Sequence, residues 1–198
     1  YFKENSSHFQ KQQINASSLL LPLTFVATSR DVVARSISKA AYLQATITPP
    51  VLDNRLKLTV GGRYTQDKRR ATRDQAFFDF PFEVGTKNNQ TFNNFSPSVN
   101  LAVQWTPDVM TYLRWSRGYK AGGSAEGALD FTKTYGPEKV EAWEAGLKSQ
   151  FFDRVVTFNA SVFYNKFSDL QVDFGVDPFD LTKVATVNAG RARIKGAE

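Results

Sequence analysis

Glu141 and Glu144 are the first pair of side chains in this 198-residue chain that general acid–base chemistry could use. Their spacing of three defeats that use on a strand, where residues of opposite parity point to opposite faces. His8 is the only histidine and cysteine is absent. No multi-histidine or thiolate metal site can be built, and a Ser–His–Asp triad would have to use His8. Asp169, Asp173, Asp177 and Asp180 crowd one polar stretch. They lack the spacing of a calcium-binding EF-hand loop and read as a solvated loop tip. "DFG" at 173–175 has neither the partner lysine strand nor the catalytic loop of a kinase. The glycines of "RGYKAGG" (117–123) could cradle a phosphate only if a helix opened after them. The next residues are "SAEGALD", a glycine-broken helix former. The N-x-S/T sequons, Asn15 and Asn159 among them, matter only in a eukaryotic secretory setting. We assign no catalytic residue, no metal ligand and no cofactor site.

Attention therefore shifts to the elements that hold these residues. Aromatics make up 14% of the chain, with 17 Phe against a single Met, and such side chains suit a pleated surface better than a helix. Period-2 alternation dominates. In "RVVTFNASVFYNKF" (154–167), Val156, Phe158, Ala160, Val162 and Tyr164 alternate with Thr157, Asn159, Ser161 and Asn165, and Phe163 is the exception. "PSVNLAVQWTP" (97–107), "RLKLTVGGRYT" (55–65), "VEAWEAGLKSQ" (140–150) and "SKAAYLQATIT" (38–48) repeat the pattern. The alternation predicts strands over 38–48, 55–66, 92–105, 109–119, 139–150, 154–167 and 186–198, each antiparallel to the next.

The joints between them fall into two classes. "PPVLDN" (49–54), "TPD" (106–108) and "FFD" (151–153) are tight turns, whereas 5–37, 67–91, 120–138 and 168–185 read as long polar loops. Short turns at one end and long loops at the other are the asymmetry of a transmembrane barrel. No run of 18 apolar residues exists, so a transmembrane helix is excluded, but a spanning strand needs only about 9–11 residues. On that reading Leu58, Val60, Leu101, Val103, Leu113, Trp115, Trp143, Leu147, Phe158 and Val162 face lipid. Thr59, Gln104, Arg114, Glu144, Lys148 and Asn159 face inward. "RARIK" (191–195) puts Arg191, Arg193 and Lys195 on one parity, toward either the lumen or the lipid headgroups. The net charge of +6 permits an anionic partner, but the 25 Lys and Arg are scattered along the chain, which argues against nucleic acid.

In order, "LTVGGRYTQDKR", "FSPSVNLAVQWTPDVMTYLRWSRGYKAGG", "YGPEKVEAWEAGLKSQFFDRVVTFNASVFYNKFSDLQV" and "VNAGRARIKGAE" resemble the barrel of TonB-dependent outer-membrane receptors. The resemblance spans roughly residues 38–198, with 1–37 fitting as a strand top and a long loop. It implies an all-β fold: an antiparallel transmembrane β-barrel segment, about eight strands of a barrel of about 22. All of 1–198 falls to the barrel domain. The plug domain and the TonB box lie outside this chain, which we read as an internal fragment. The implied function is TonB-energised uptake of a scarce solute, a ferric siderophore first, across the outer membrane of a Gram-negative bacterium, with no enzymatic step. Implied partners are the solute, outer-membrane lipid and lipopolysaccharide, and the TonB complex through the N-terminal region. Arg63, Arg114, Glu144 and Lys148 become candidate lumen or substrate residues. The basic ones suit an anionic ferric chelate and suit acidic plug residues equally.

Two rivals remain at this level. One is a passive porin-type channel, the other a soluble carbohydrate-binding β-sandwich that would bury Trp115 and Trp143 in a core. In a barrel both rings touch lipid. The barrel reading therefore predicts that bromine-labelled lipid quenches Trp115 and Trp143 in the complete protein. Fluorescence unchanged by the label would favour the sandwich.

Overall fold

The computed structural model describes residues 2–16, 23–77, 80–128, 130–175 and 184–198. Its chain order is β1 (Phe2–Ala16), β2 (Leu23–Ile47), β3 (Leu56–Phe77), β4 (Phe80–Thr106), β5 (Val109–Lys120), β6 (Gly123–Ser124), β7 (Thr134–Tyr135), β8 (Glu138–Phe151), β9 (Val156–Ser168), β10 (Gln171–Gly175), β11 (Val184–Asn188) and β12 (Arg191–Ala197). A 3-10 turn at Leu52–Asn54 is the one helical element among the described residues. Eight strands form a single sheet in the order β1-β2-β3-β4-β5-β8-β9-β12, with every neighbouring pair antiparallel. β6–β7 and β10–β11 are separate two-stranded hairpins inserted between wall strands. β1 and β12 lie at opposite edges, so the sheet is an open arc of wall.

Register fixes the faces, because residues directly opposite one another in a ladder share a side. One row across the sheet reads Leu58, Leu101, Leu113, Ala145 and Val162. Two residues toward the loops the next row reads Val60, Val99, Trp115, Trp143 and Tyr164. The intervening row, on the other side, reads Thr59, Asn100, Arg114, Glu144 and Phe163. The expected apolar and polar sets thus separate by face, position by position. Leu101, Leu113, Trp143 and Val162 are all exposed, although large and apolar. On β8 the apolar side runs from Trp143 to Phe151, about 25–30 Å of strand, which matches the apolar band of a membrane barrel. Aromatic rings close it at the upper boundary, where the Trp115 and Trp143 centroids stand 6.1 Å apart.

The tight end is held by charges between turns. Arg55 Nη1 donates to the Trp105 carbonyl at 2.7 Å, and Arg154 pairs with Asp108 at 3.3 Å. Leu52, Asp53 and Asn54, and again Phe152, Asp153 and Arg154, take positive φ. Aspartate and asparagine tolerate that conformation, whereas Leu52 and Phe152 are strained there.

The other end corrects the sequence reading. Residues 67–91, expected as a loop, continue the ladder of β3 and β4 from Asp67↔Phe92 to Phe77↔Phe80. Residues 5–37 likewise lie mostly in β1 and β2, so His8 sits on a strand. Ladder hydrogen bonds join backbone groups and need no apolar face. Beyond the membrane both faces meet water, and over most of this length (outside Phe80, Phe82 and Val84) the hydrophobic alternation that marks a strand is lost while the strand persists. At about 3.3 Å per residue the 27-residue β4 is far longer than a bilayer crossing requires. The expected strand 186–198 is instead broken at Gly190, whose φ of +80° suits glycine. Val184–Asn188 pairs with β10, and only β12 joins β9.

If the apolar face meets lipid, Val103→Arg or Leu147→Arg should cost about 2–4 kcal/mol near the midplane. Asn159→Arg, on the polar face, should cost far less. Denaturant titration of the refolded complete barrel measures both, and equal costs would mean that the faces are reversed.

Candidate solute-binding site

The wall has almost no interior, and most of what is buried lies beneath the β5–β8 and β9–β12 connections. Val32, Phe131 and Arg73 are the largest fully buried side chains. Arg73, on the polar side of β3, is 0% exposed. Its Nε and Nη2 donate to the two carboxylate oxygens of Glu83 at 3.0 and 2.6 Å, across the β3–β4 hairpin. Its Nη1 donates to the carbonyls of Glu126 (3.0 Å) and Ala128 (2.6 Å), and its guanidinium lies 4.8 Å from the Phe131 ring centroid. Asn88 Nδ2 reaches the Phe131 carbonyl at 2.8 Å. One buried cation therefore folds the 121–137 connection onto the projecting hairpin. The second connection leans on the first: Gln171 Nε2 donates to the carbonyls of Ala121 and Gly136, and Asn188 Nδ2 to Gly136.

Between these connections and the polar face of β2 and β3 lies a cavity of about 320 Å³. Arg69 and Lys120 line it from the inward parity, against Glu126 and Asp173, with Tyr135 among the neutral groups, while Arg35 and Arg70 border it with side chains on the outward parity. Arg69 Nη1 donates to Ser36 Oγ at 2.6 Å, while its Nε–H is buried with no acceptor among the described residues. A buried unpaired donor costs about 1–3 kcal/mol. Burial pushes the Tyr135 phenol above its ordinary pKa, against an opposing effect of Arg69, so it stays protonated at neutral pH. Asp130, at the turn of the same connection, accepts from Thr132 Oγ1 and Thr132 N, which holds its pKa below the usual value. That contribution to the turn is present at neutral pH and is lost as pH falls through the lowered value.

Of the residues singled out from sequence, Arg114, Glu144 and Lys148 line a second hollow of about 450 Å³ lower on the polar face, with Tyr112. Arg63 shares that face outside this hollow, and its Nε donates to Thr65 Oγ1 at 3.2 Å. No Glu144–Lys148 ion pair forms among the described residues. Four residues of strand separate them by about 13 Å, and the Tyr112 ring intervenes. Its hydroxyl donates to Glu144, and Lys148 Nζ stands 5.9 Å from its centroid. The ring lies flat over Gly146, where a Cβ would fall 2.5 Å from it. Asp169 and Asp173 are described, Asp177 and Asp180 fall outside the described residues, and Asp173 accepts from Thr186 Oγ1. No acidic, histidine or cysteine group that could hold a metal ion occurs among the described residues. Sequence reasoning missed Arg73, Glu83 and Arg69 because their segment read as loop.

An up-and-down antiparallel sheet with an apolar outer side, tight turns at one end and elaborated connections at the other is the wall of a transmembrane β-barrel. A family profile, TonB dependent receptor-like, beta-barrel, matches residues 2–198, and the chain belongs to that family, one of receptors and not of enzymes. The fold is similar to that of the ferric yersiniabactin uptake receptor FyuA from Yersinia pestis, with TM-score 0.73 and 21% identity over 98% of this chain and 27% of that one. It is also similar to the alcaligin outer-membrane receptor FauA from Bordetella pertussis, with TM-score 0.54 and 15% identity over 98% of this chain and 34% of that one. The chain thus spans about a third or less of the length of either receptor.

Removing Glu83 would take a two-point carboxylate contact from a buried guanidinium, at a cost of up to about 3–5 kcal/mol. Glu83→Gln in the complete protein should therefore loosen the 121–137 connection and speed tryptic cleavage after the exposed Lys133, with the wall unaffected. Cleavage at the wild-type rate would show that the latch does not hold the loop.

Proposed function

We propose that the complete protein is an outer-membrane receptor that captures an anionic chelate, most simply a ferric siderophore, at its outer loops and imports it with TonB-supplied energy. The observation that carries this reading is the cavity under the two connections. Arg69 and Lys120 reach into it beside Glu126 and Asp173, and the Arg69 Nε–H is buried there with no acceptor among the described residues. A ligand rich in carboxylate or phenolate oxygens supplies the missing acceptor and can bridge the two cations. The protonated Tyr135 offers a neutral donor beside them. The named activities of FyuA and FauA point to the same solute class. Arg63, Arg114, Glu144 and Lys148 would then lie below this cavity along the lumen, as later contacts for the solute or as partners of a plug. The TonB complex and outer-membrane lipid complete the set of partners.

Binding at this cavity makes a specific demand. In the complete receptor, Arg69→Gln combined with Lys120→Gln should weaken capture of the cognate ferric chelate at least tenfold, while heat-modifiable gel migration stays normal. Uptake should stop when the proton gradient is collapsed. A passive channel would go on admitting solute, and unchanged affinity in the double variant would place the solute elsewhere.

A further inference from the structure

In the structure the glycines of "RGYKAGG" seat an aromatic ring. Past Lys120 the chain pairs Gly123 with Tyr135 in the β6–β7 ladder. A Cβ on Gly123 would fall 2.5 Å from the Tyr135 hydroxyl oxygen and 2.9 Å from Cζ, so the ring lies over a residue with no side chain. A Cβ on Gly122 would fall 2.1 Å from the Tyr135 carbonyl oxygen, so the backbone of the connection closes onto a glycine as well. Any larger residue at either position would push Tyr135 away. The tyrosine is half-buried at the cavity, and its hydroxyl has no hydrogen-bond partner among the described residues.

The residue after Tyr135 is held from the other connection. Gln171 and Asn188 lie opposite one another at the foot of β10–β11, where paired residues share a side. Both side-chain amides reach the Gly136 carbonyl, at 3.1 and 3.0 Å. Asn188 does more, because its Oδ1 also accepts the Gly136 N–H and its Nδ2 also donates to the Asp169 carbonyl at 2.8 Å. One exposed amide thus engages both backbone polar groups of Gly136 and ties them to the start of the β9–β12 connection. Pro137 follows, with its φ fixed by its own ring. Tyr135 is therefore constrained at its ring by Gly123 and at its following peptide by Asn188.

We propose that Asn188 is a positioning residue for solute capture. Its amide sets the Gly136 peptide, and through it the direction in which the Tyr135 hydroxyl enters the cavity, with Gly123 as the seat of the ring. This role rests on the cavity's being the solute site, and it adds what aims the neutral donor there. A donor already aimed loses less side-chain entropy when an acceptor arrives. Asn188 does not line the cavity, so its effect on capture must pass through Tyr135. It can also be truncated without stranding a buried group, since water can take over the Gly136 N–H while Gln171 still serves the carbonyl.

The test uses the complete receptor purified in detergent and has two readouts. The first needs no solute: fluorine NMR of 3-fluorotyrosine placed at position 135. Burial raises the pH at which this phenol ionises, with Arg69 opposing and Glu126 and Asp173 adding to the rise, and Lys120 lines the same cavity. Asn188→Ala and Gly123→Ala should each move the ionisation back toward that of the free amino acid, while heat-modifiable gel migration stays normal. The second readout is the affinity of the unlabelled receptor for the iron(III) chelates of citrate, a trihydroxamate and a tricatecholate, the tightest serving as probe. Asn188→Ala should weaken it about fivefold or more, the scale of one net hydrogen bond. In the Tyr135→Phe background the same substitution should weaken it no further, whereas a merely structural role would give additive losses. Unchanged ionisation, unchanged affinity or additive losses would each overturn the role of Asn188 and leave the solute site standing. A wild-type receptor that binds none of the three chelates would overturn the solute site and this role with it, whatever the fluorine signal shows.

Discussion

A backbone crossing hydrocarbon must hydrogen-bond every N–H and C=O to itself, because no water is there to take their place. The rest of this chain's architecture depends on how a sheet meets that demand. A continuous antiparallel ladder satisfies the backbone one strand at a time, and side chains are left to answer to two different solvents. The outward row Leu58–Leu101–Leu113–Ala145–Val162 and the inward row Thr59–Asn100–Arg114–Glu144 are the two answers, one residue apart. Neither row has a partner layer. The wall is accordingly a structure without a core, in which Leu113 and Trp143 are exposed because lipid takes the place of packing.

Once the strands leave the membrane the demand relaxes, yet the ladder continues. β3 and β4 carry it up to Phe77 and Phe80, with mainly polar side chains on both sides as far as Arg73 and Thr86 and with exposed Phe80, Phe82 and Val84 toward the tip. These projecting strands are the platform on which the connections fold, and there packing becomes protein-like. Arg73 is the hinge of that arrangement. A buried guanidinium is tolerable only if its charge is paired and its donors are used. Glu83 supplies the charge, and the carbonyls of Glu126 and Ala128 take the remaining donors. Rigid strands and a pinned loop enclose a cavity beyond the membrane-level rows, the place we propose for the solute.

The two faces divide the positive charge between them. Arg69 and Lys120 look into the cavity, whereas Arg117, Lys139, Lys166 and Arg193 look outward above the aromatic rows. Composition reports only the net charge of +6. A single-residue change in register would exchange these populations, so register, more than composition, specifies which ligand each cation can meet.

Taken alone, the sequence determined the strand type, the antiparallel order, the position of the three tight turns and the facing of the membrane-level residues. It could do so because lipid on one side and water on the other imprint a period of two on residues 38–66, 92–119 and 139–167. It also brought forward Arg114, Glu144 and Lys148, which do share a hollow, although parity could not foresee that Tyr112 separates the last two. The heights of β1 to β4 were not legible, since a strand with water on both sides carries no hydrophobic alternation. Nor was the break at Gly190, where one glycine redirects a segment whose alternation reads straight through. Only the tertiary structure decided that Arg73 meets Glu83, that Arg69 lines a cavity and that the three cations of "RARIK" point outward. Each depends on a register between segments or on a loop folding back, and those are contacts between residues far apart in the chain, which no local spacing encodes.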